Sequence, residues 1–352
     1  MKGYFYFFIS IALLVACKKE QNAIVDNYTP TLTEIAYPSW VKIYLSEMPQ
    51  NSDNPLTKEG IELGRKLFYE KQLSLNNSQS CASCHQQANG FSDSSRFSKG
   101  IDGSLGDRNA MAISNLAWSN HLFWDGRRSS LEGQAHDPVT NPIEMKNDWN
   151  TVVSRLSKDA KYPDLFYKAF KTRTIDSNLV VKAIAQFERS LVSFNSRFDK
   201  YYFESDTNAL TVQEKKGLEI FFNKGDCNHC HSDVLLSDDA FRNNGLDATF
   251  TDNGRGNITK SQSDNGKFKV VSLRNIEVTA PYMHDGRFKT LEEVVNQYNE
   301  GIHTNSPNMD DNMQKLIQGI QLTTQEKLDL VAFLKTFTDS EFLTNNAFSN
   351  PN

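Results

Sequence analysis

The chain has 352 residues, with 38 Lys+Arg against 43 Asp+Glu, and 11% of its residues are aromatic. This length and composition exclude a disordered chain and are sufficient for two domains with packed cores. The net charge of −5, without a dense block of Lys and Arg, does not suggest a surface built to bind nucleic acid. The 5 cysteines are an odd number, so they cannot all pair with one another.

The N-terminus has the pattern of a bacterial export signal. An apolar run ends at Leu14-Val15-Ala16-Cys17, a spacing similar to a lipobox. We therefore expect residues 1–16 to be a lipoprotein signal peptide and Cys17 to carry acyl chains, which would anchor the protein on the periplasmic side of the cell envelope. The alternative is an ordinary cleaved signal with an incidental cysteine. Residues 17–50 are polar and contain prolines, which predicts a tether. Beyond the N-terminus, no apolar run approaches the roughly 18 residues that span a bilayer.

The other four cysteines form two C-x-x-C-H motifs, Cys81-x-x-Cys84-His85 and Cys227-x-x-Cys230-His231. This spacing allows two thiols to form thioethers with one haem while the adjacent histidine binds the iron. Covalent haem attachment requires an oxidising compartment, to which the export signal would deliver the chain. A zinc site and a pair of disulfides are the competing interpretations, but neither requires a histidine directly after each second cysteine.

The surroundings of the two motifs repeat as well. A Gly-x-x-Leu/Ile-Phe segment precedes each motif, beginning at Gly64 and at Gly217. An Asp-Gly-Arg segment also follows each motif. It is preceded directly by Trp124 in the first half and by His284 in the second. The repeat predicts an N-terminal haem domain over residues 51–205 and a C-terminal haem domain over residues 206–345.

The predicted secondary structure is mainly helical. Capping boxes at Thr211, Thr290 and Thr323, each with Glu three residues later, indicate helix N-termini. Residues 179–198 are predicted to form one long helix, and residues 267–273 are the only convincing strand. The segment 232–266 is rich in Asn, Asp, Gly and Ser, which predicts an elaborate loop. One helix face is expected to be apolar because its residues are spaced i, i+3, i+4, i+7: Leu291, Val294, Val295 and Tyr298.

The second axial position of each iron decides between electron transfer and peroxide chemistry. No His or Met lies between His85 and Arg108, so the first haem has no obvious distal ligand nearby in sequence. An open iron could bind peroxide, and a carboxylate such as that of Glu144 could then move a proton between the peroxide oxygens. From spacing alone, a solvated surface charge is the favoured interpretation of Glu144.

The ordered motifs resemble those of the bacterial di-haem cytochrome c peroxidases, and also their branch that matures the tryptophan-derived quinone of methylamine dehydrogenase. The resemblance covers residues 50–340. It is carried by both C-x-x-C-H motifs together with Phe-Trp-Asp-Gly-Arg, Asn-Pro-x-Glu-Met, Leu-Arg-Asn and Ala-Pro-Tyr-Met-His-Asp-Gly. It implies two cytochrome c-like domains, a peroxidatic haem at the first motif and an electron-transfer haem at the second.

The resemblance also implies roles for individual residues. Glu144 and Gln134 would lie on the distal side of the first haem, and Trp124 would relay electrons between the haems. The alternative for Trp124 is a core residue, which does not exclude the relay. A calcium ion would bind at Asn109, Thr279 and Pro281, since such oxygen donors suit that cation.

Two departures from the family pattern qualify these roles. Many members place a distal histidine in the loop after the first motif, whereas residues 98–106 contain none, so we expect an open first haem even in the oxidised protein. Many members also supply a methionine to the second haem, fourteen residues after the histidine that corresponds to His284. Here that position is Tyr298, as in the maturase branch. The alternative is that Tyr298 is a core aromatic and that Met283 or Met309 is the ligand.

The sequence therefore predicts a lipid-anchored di-haem c peroxidase that reduces hydrogen peroxide with electrons from a small donor, either a cytochrome c or a cupredoxin. A homodimer is compatible with the sequence. The enzymatic alternative is a maturase-like oxidase that acts on a protein, and the non-enzymatic alternative is a di-haem electron carrier.

Overall fold

The computed structural model describes residues 28–314, 316 and 318–351, so the predicted signal peptide and Cys17 lie outside the described residues. The described chain is mainly α-helical, as predicted. No helix among these residues has the length and apolar character needed to cross a membrane. The helices are α1 Val41–Tyr44, α2 Lys58–Phe68, α3 Cys81–Cys84, α4 Leu131–Thr140, α5 Trp149–Lys158, α6 Tyr162–Phe170, α7 Ser177–Ser190, α8 Arg197–Tyr202, α9 Val212–Phe222, α10 Gly256–Thr259, α11 Leu291–Glu300, α12 Asp311–Gln314, α13 Thr324–Lys335 and α14 Ser340–Thr344.

The described strands are short. Strand β1 (Phe241–Arg242) pairs antiparallel with β2 (Phe268–Lys269), and the second of these lies within the predicted strand 267–273. Between them the chain forms a long loop, as predicted, with only α10 and a short 3₁₀ turn at Gln262–Asp264. The expectation of few short strands is therefore confirmed.

The first half is built on the crossing of α2 and α7. Gly64 of α2 lies directly against α7, where any side chain would collide with the carbonyl oxygen of Ala183. This close approach buries Leu67, Phe68 and Phe187 in one apolar cluster. The absence of a side chain at one position thus sets the distance between the two helices.

The second half is built on the crossing of α9 and α13 in a similar way. A side chain at Gly217 of α9 would collide with the carbonyl oxygen of Asp329 of α13. Ile220, Phe221 and Phe333 are buried in a second apolar cluster around this crossing. Each helix pair therefore has its own core.

A backbone turn also occurs in both halves. The Leu122 N–H donates to the carbonyl oxygen of Arg128 at 2.8 Å, and the Tyr282 N–H donates to that of Phe288 at 2.7 Å. Each turn encloses an Asp-Gly-Arg segment that the sequence singled out.

Local sequence signals predicted helix starts better than helix ends. The three predicted capping boxes are all present, at the N-termini of α9, α11 and α13. In contrast, the single helix predicted over residues 179–198 is wrong, because α7 ends at Ser190 and α8 begins at Arg197. The break is stabilised by a further capping box, in which the Ser196 hydroxyl and the Asp199 carboxylate each bind the other's backbone N–H.

The segment 28–50, which we expected to belong to a tether, packs against the fold. Trp40 and Val41 are buried in a third cluster with Trp118 and Phe194. The Trp40 ring stacks on that of Phe203, with centroids 4.2 Å apart. Proline content and polarity are averages over a segment, and they do not reveal individual apolar anchors such as these.

The end of the described chain returns to the first half. Phe342 of α14 is buried in the cluster around α2 and α7, with its ring centroid 5.5 Å from that of Phe91. The side-chain amide of Gln87 donates to the carbonyl oxygens of Phe342 and Asn345. Residues near the C-terminus thus help to enclose the first C-x-x-C-H motif.

Candidate haem-binding sites

The first motif lies on a single helical turn. Helix α3 contains Cys81 and Cys84, and a capping box between Ser80 and Ser83 fixes its start. Both cysteines are free thiols, and burial raises the pKa of the Cys84 thiol to about 11. The short helix brings the two sulfur atoms to one side of the chain, as attachment to a single macrocycle requires.

The second motif lies on a 3₁₀ turn, Cys227–His229, that follows α9. Cys227 and Cys230 are also free thiols, and burial raises their pKa values to about 12 and about 11 respectively. No group of three or more His, Cys, Asp or Glu side chains in the described part of the chain is arranged to hold a metal ion, as a zinc site would require.

The two motif histidines are oriented in the same way. His85 Nδ1 lies 2.9 Å from the carbonyl oxygen of Phe91, and His231 Nδ1 lies 3.2 Å from that of Leu236. A carbonyl oxygen only accepts, so Nδ1 carries the proton and Nε2 remains available to bind iron. Burial lowers the pKa of both imidazoles, which favours the neutral form that ligates metals. Two thiols beside a neutral, oriented imidazole fit a covalently attached haem.

Glu144 is half-buried and lies in the first half of the chain, just after α4. The side-chain amide of Asn141 donates to Glu144 Oε1 at 2.6 Å. Burial raises the pKa of Glu144, although the Asn141 hydrogen bond and the charge of Arg127 oppose the shift. Its charge is the smallest of the effects that act on the pKa values of Cys81 and Cys84, which are raised mainly by burial. The alternative of a solvated surface charge does not fit this environment.

The loop without histidine packs directly against Glu144. The Ile101 N–H donates to the Glu144 carbonyl oxygen at 3.1 Å, and a side chain at Gly100 would collide with the Ile143 carbonyl. Gln134 lies on α4, which packs against α7, and is half-buried. None of the loop side chains near Glu144 is a haem ligand of the usual kinds.

A large cavity extends around the second motif. It is lined by Cys227, Cys230 and His231, together with all four residues of the predicted apolar face of α11. Met283 and Tyr298 both line this cavity, whereas Met309, though buried, does not. Burial raises the pKa of Tyr298 to about 12, although a hydrogen bond from Asn244 acts in the opposite direction.

Trp124 lines the same cavity. Its indole N–H donates to the carbonyl oxygen of Asn109 at 2.8 Å, and its own carbonyl accepts from the Lys269 N–H at 2.9 Å. The ring lies edge-on to His284, with centroids 6.5 Å apart, and His284 stacks on Phe268. The cavity wall also includes Ser92 and most of the chain from Asn109 to Asn115, without Ile113.

The three residues predicted to surround calcium also line this cavity. The Asn109 side-chain amide donates to the carbonyl oxygens of Ser95 and Arg96, at 3.1 and 3.2 Å. Its amide oxygen therefore faces away from those contacts. Thr279 and Pro281 contribute no carboxylate, so any calcium ligands from them are uncharged oxygens.

Sequence reasoning missed three polar residues near these sites, of which Lys269 and Glu188 are buried and Asn244 is half-buried. Asn244 contacts Tyr298, Lys269 binds Asp239 at 2.8 Å beside Trp124, and Glu188 lies in the core near Cys81. Glu188 is 3% exposed, and its Oε2 has no hydrogen-bond partner. No motif marked Asn244 or Lys269, and the only available signal for Glu188 was a charged residue on an apolar helix face.

Comparison with known proteins extends the resemblance. A family model described as di-haem cytochrome c peroxidase matches residues 58–208. The cytochrome-c peroxidase IdrP1 of Pseudomonas sp. (strain SCT) is 34% identical over 329 residues, covering 84% of this chain and 85% of that protein. The methylamine utilization protein MauG of Methylorubrum extorquens is 37% identical over 292 residues, covering 82% of this chain and 81% of that protein.

A solved structure agrees with these sequence matches. It is the structure of a MauG-like protein associated with microbial copper homeostasis, and it matches this chain with a TM-score of 0.83 and 35% sequence identity. The match covers 91% of this chain and 99% of the MauG-like chain. Sequence identity above 30% over more than four-fifths of the chain, together with the two oriented C-x-x-C-H histidines, leads to one conclusion: the chain belongs to the di-haem cytochrome c peroxidase family.

Proposed function

We propose that this protein reduces hydrogen peroxide to two molecules of water, consuming two protons and two electrons that a small redox protein such as a cytochrome c or a cupredoxin delivers. The observation that carries the proposal is Glu144, a half-buried carboxyl that Asn141 holds in the first half of the chain. It lies beside a loop that supplies no haem ligand. A carrier of electrons alone has no use for such a group.

The cofactors are two haem c groups, as the family implies. Haem at Cys81, Cys84 and His85 would supply the iron for reduction of peroxide, and haem at Cys227, Cys230 and His231 would supply the entry point for electrons. The residues of each motif fit this role because their thiols are free and their imidazoles are neutral and oriented.

Glu144 moves the proton in this proposal. Asn141 holds Oε1, which leaves Oε2 to accept a proton from one peroxide oxygen and return it to the other. Burial raises the pKa of Glu144 towards the working pH, where a group exchanges protons most effectively. The amide of Gln134 would donate a hydrogen bond to the bound peroxide and orient it.

We assign the two haems to two cytochrome c-like domains, over residues 51–205 and 206–345, related by an internal repeat. The support is the pair of glycine-mediated helix crossings at Gly64 and Gly217 and the turn that recurs at 122–128 and 282–288. The return of Phe342 to the first core means that the second domain also contributes packing to the first.

We assign Tyr298 as the axial ligand of the second haem and Trp124 as the relay between the haems. Tyr298, on an apolar helix face, and Trp124 both line the cavity that contains His231. A phenolate ligand favours Fe(III) and lowers the potential relative to a thioether. Met283 lines the same cavity and is the competing ligand.

Calcium is proposed at Asn109, Thr279 and Pro281, because all three line one cavity and offer uncharged oxygens. Removal of the ion with a chelator is expected to slow peroxide turnover, and added Ca²⁺ is expected to restore it. An unchanged calcium content and rate after Asn109→Ala would exclude the site.

We further propose that the mature protein begins at Cys17 and is lipid-anchored on the periplasmic side of the envelope. The lipobox-like spacing before Cys17 supports this location. Mass spectrometry of the N-terminal peptide is expected to find a diacylglyceryl cysteine, and Cys17→Ser is expected to release the protein from membranes. Detection of an unmodified Cys17 inside a longer N-terminal peptide would contradict the anchor.

The test of the activity is stopped-flow mixing of the holo protein with peroxide and reduced cytochrome c. Glu144→Gln is expected to lower turnover about 10²-fold or more, as loss of a general acid–base does. The exposed Glu62 provides the matched control, and Glu62→Gln is expected to leave the rate unchanged. Donor oxidation that does not depend on peroxide would indicate a carrier. Rapid oxidation of a protein substrate with slow use of cytochrome c would indicate a maturase-like oxidase.

A further inference from the structure

Asn244 contacts both candidate ligands of the second haem. Its side-chain nitrogen lies 3.0 Å from the Tyr298 hydroxyl oxygen and 3.8 Å from the Met283 sulfur. All three residues line the cavity that also contains His231. Of the two contacts, the one to oxygen is a hydrogen bond of ordinary length, whereas the thioether is a weak acceptor.

The backbone that carries Asn244 is fixed on both sides. The neighbouring Asn243 is 3% exposed, and its side-chain amide donates to Ser306 Oγ at 2.9 Å. The Asp310 N–H donates to the Asn243 carbonyl at 3.0 Å, and the His303 N–H donates to the Gly245 carbonyl at 2.8 Å. The amide of Asn244 is therefore presented from a rigid support.

Tyr298 is held independently from the other side of the cavity. It lies on α11, whose start is fixed by the Thr290 capping box and whose inner face buries Leu291 and Val295. Two separately anchored segments thus bring one donor and one phenol oxygen together.

We propose that Asn244 is a positioning residue for the second haem, and that its amide N–H would hold the Tyr298 oxygen in place to bind the haem iron. This inference rests on the ligand assignment made under the proposed function. The amide withdraws electron density from the ligand oxygen, so it also tunes the potential at which electrons enter the protein.

The test uses the full holo protein carrying Asn244→Asp or Asn244→Leu. The Asp variant keeps the size of the side chain and removes the donor, so folding and haem loading are expected to be retained. Optical and EPR spectra of the oxidised protein and a spectroelectrochemical titration report on the second haem. In the Asp variant, we expect the potential of this haem to fall and its low-spin EPR signal to shift, and in the Leu variant we expect the low-spin signal to be lost or split.

The high-spin signal of the first haem and its optical response to peroxide are expected to remain as in wild type. Asn257→Leu is the matched control, because Asn257 is exposed and its amide contacts only Asp252. A second-haem spectrum and potential that match wild type in both Asn244 variants would overturn the proposal. Two other variants test the ligand assignment separately. The assignment would be wrong if the spectrum and potential of the second haem were unchanged in Tyr298→Phe, or if its low-spin signal were lost in Met283→Leu.

Discussion

The indole N–H of Trp124 donates to the backbone carbonyl oxygen of Asn109 at 2.8 Å. This bond joins the residue proposed to relay electrons to the residue proposed to ligate calcium. Orientation of the ring and occupancy of the ion site are therefore coupled through one short segment of backbone.

We expect Trp124→Phe to slow the transfer of electrons between the haems, since phenylalanine lacks the N–H donor and is harder to oxidise. Stopped-flow spectroscopy should find several-fold slower oxidation of reduced cytochrome c after peroxide addition, with the initial reaction of peroxide unchanged. The control is Trp149→Phe, because Trp149 packs against His136 in the first half of the chain. Equal donor oxidation rates in both variants would argue that Trp124 only fills the core.

Glu188 gives the protein a pH-dependent stability. Burial raises the pKa of Glu188 to about 8, the nearby Arg189 opposes the shift, and Glu132 adds to it. In the unfolded chain the group titrates near 4.3. The folded state therefore holds more protons between these values, so this contribution to stability is complete below pH 4 and is lost as pH rises towards 8.

Glu188→Gln should remove that dependence. We expect the variant to gain stability relative to wild type as pH rises from 5 to 9, by at most about 4 kcal/mol. Urea midpoints of the two holo proteins at several pH values measure the difference. Glu62→Gln, at an exposed position on α2, should show no such trend. If the difference in urea midpoint between the two proteins were the same at every pH, Glu188 would be ionised in the folded protein.

We expect the addition of one methyl group to destabilise the protein by a similar amount at either helix crossing. Gly64→Ala and Gly217→Ala would each drive a side chain into a backbone carbonyl of the partner helix. We expect each to destabilise the protein by about 1–3 kcal/mol in thermal or urea unfolding. Gly106→Ala is the control, since the nearest atoms to a side chain there are 3.8 Å away. A neutral Gly217→Ala would indicate that the second crossing opens readily.

Arg274 and Asp199 form an ion pair whose side chains are both 0% exposed, with Nη1 2.9 Å from Oδ2. Arg274→Met would leave the Asp199 charge buried without its partner, and we expect a loss of about 3–5 kcal/mol. Arg173→Met removes an exposed ion pair to Asp164 and should cost less than about 1 kcal/mol. Similar urea midpoints for the two variants would contradict the larger loss of stability expected for the buried ion pair.

The parts of the site that depend on neighbouring residues in sequence could be predicted. Both C-x-x-C-H motifs, the capping box at Thr290 and the apolar face of α11 follow from local spacing, and the structure places that face on the cavity of the second motif. The burial of Glu144 was not predictable from spacing, because it depends on a loop that packs on its backbone.

Contacts across long separations could not be predicted. Asn244 lies in a segment whose composition indicates only a loop, and its partner Tyr298 is 54 residues further along the chain. Trp40 and Val41 likewise pack with residues far along the chain, such as Trp118 and Val234. A single sequence contains no record of which distant residues meet, so such pairs emerge only from the folded chain.

The burial of Phe342 against Phe91 has a consequence for biogenesis. Phe91 supplies the carbonyl oxygen that orients His85, and its ring is covered by a residue near the end of the described chain. The first motif to leave the ribosome is therefore among the last to acquire its final surroundings. We expect a chain that stops before α14 to hold His85 loosely, because Phe91 would then lack the ring that covers it.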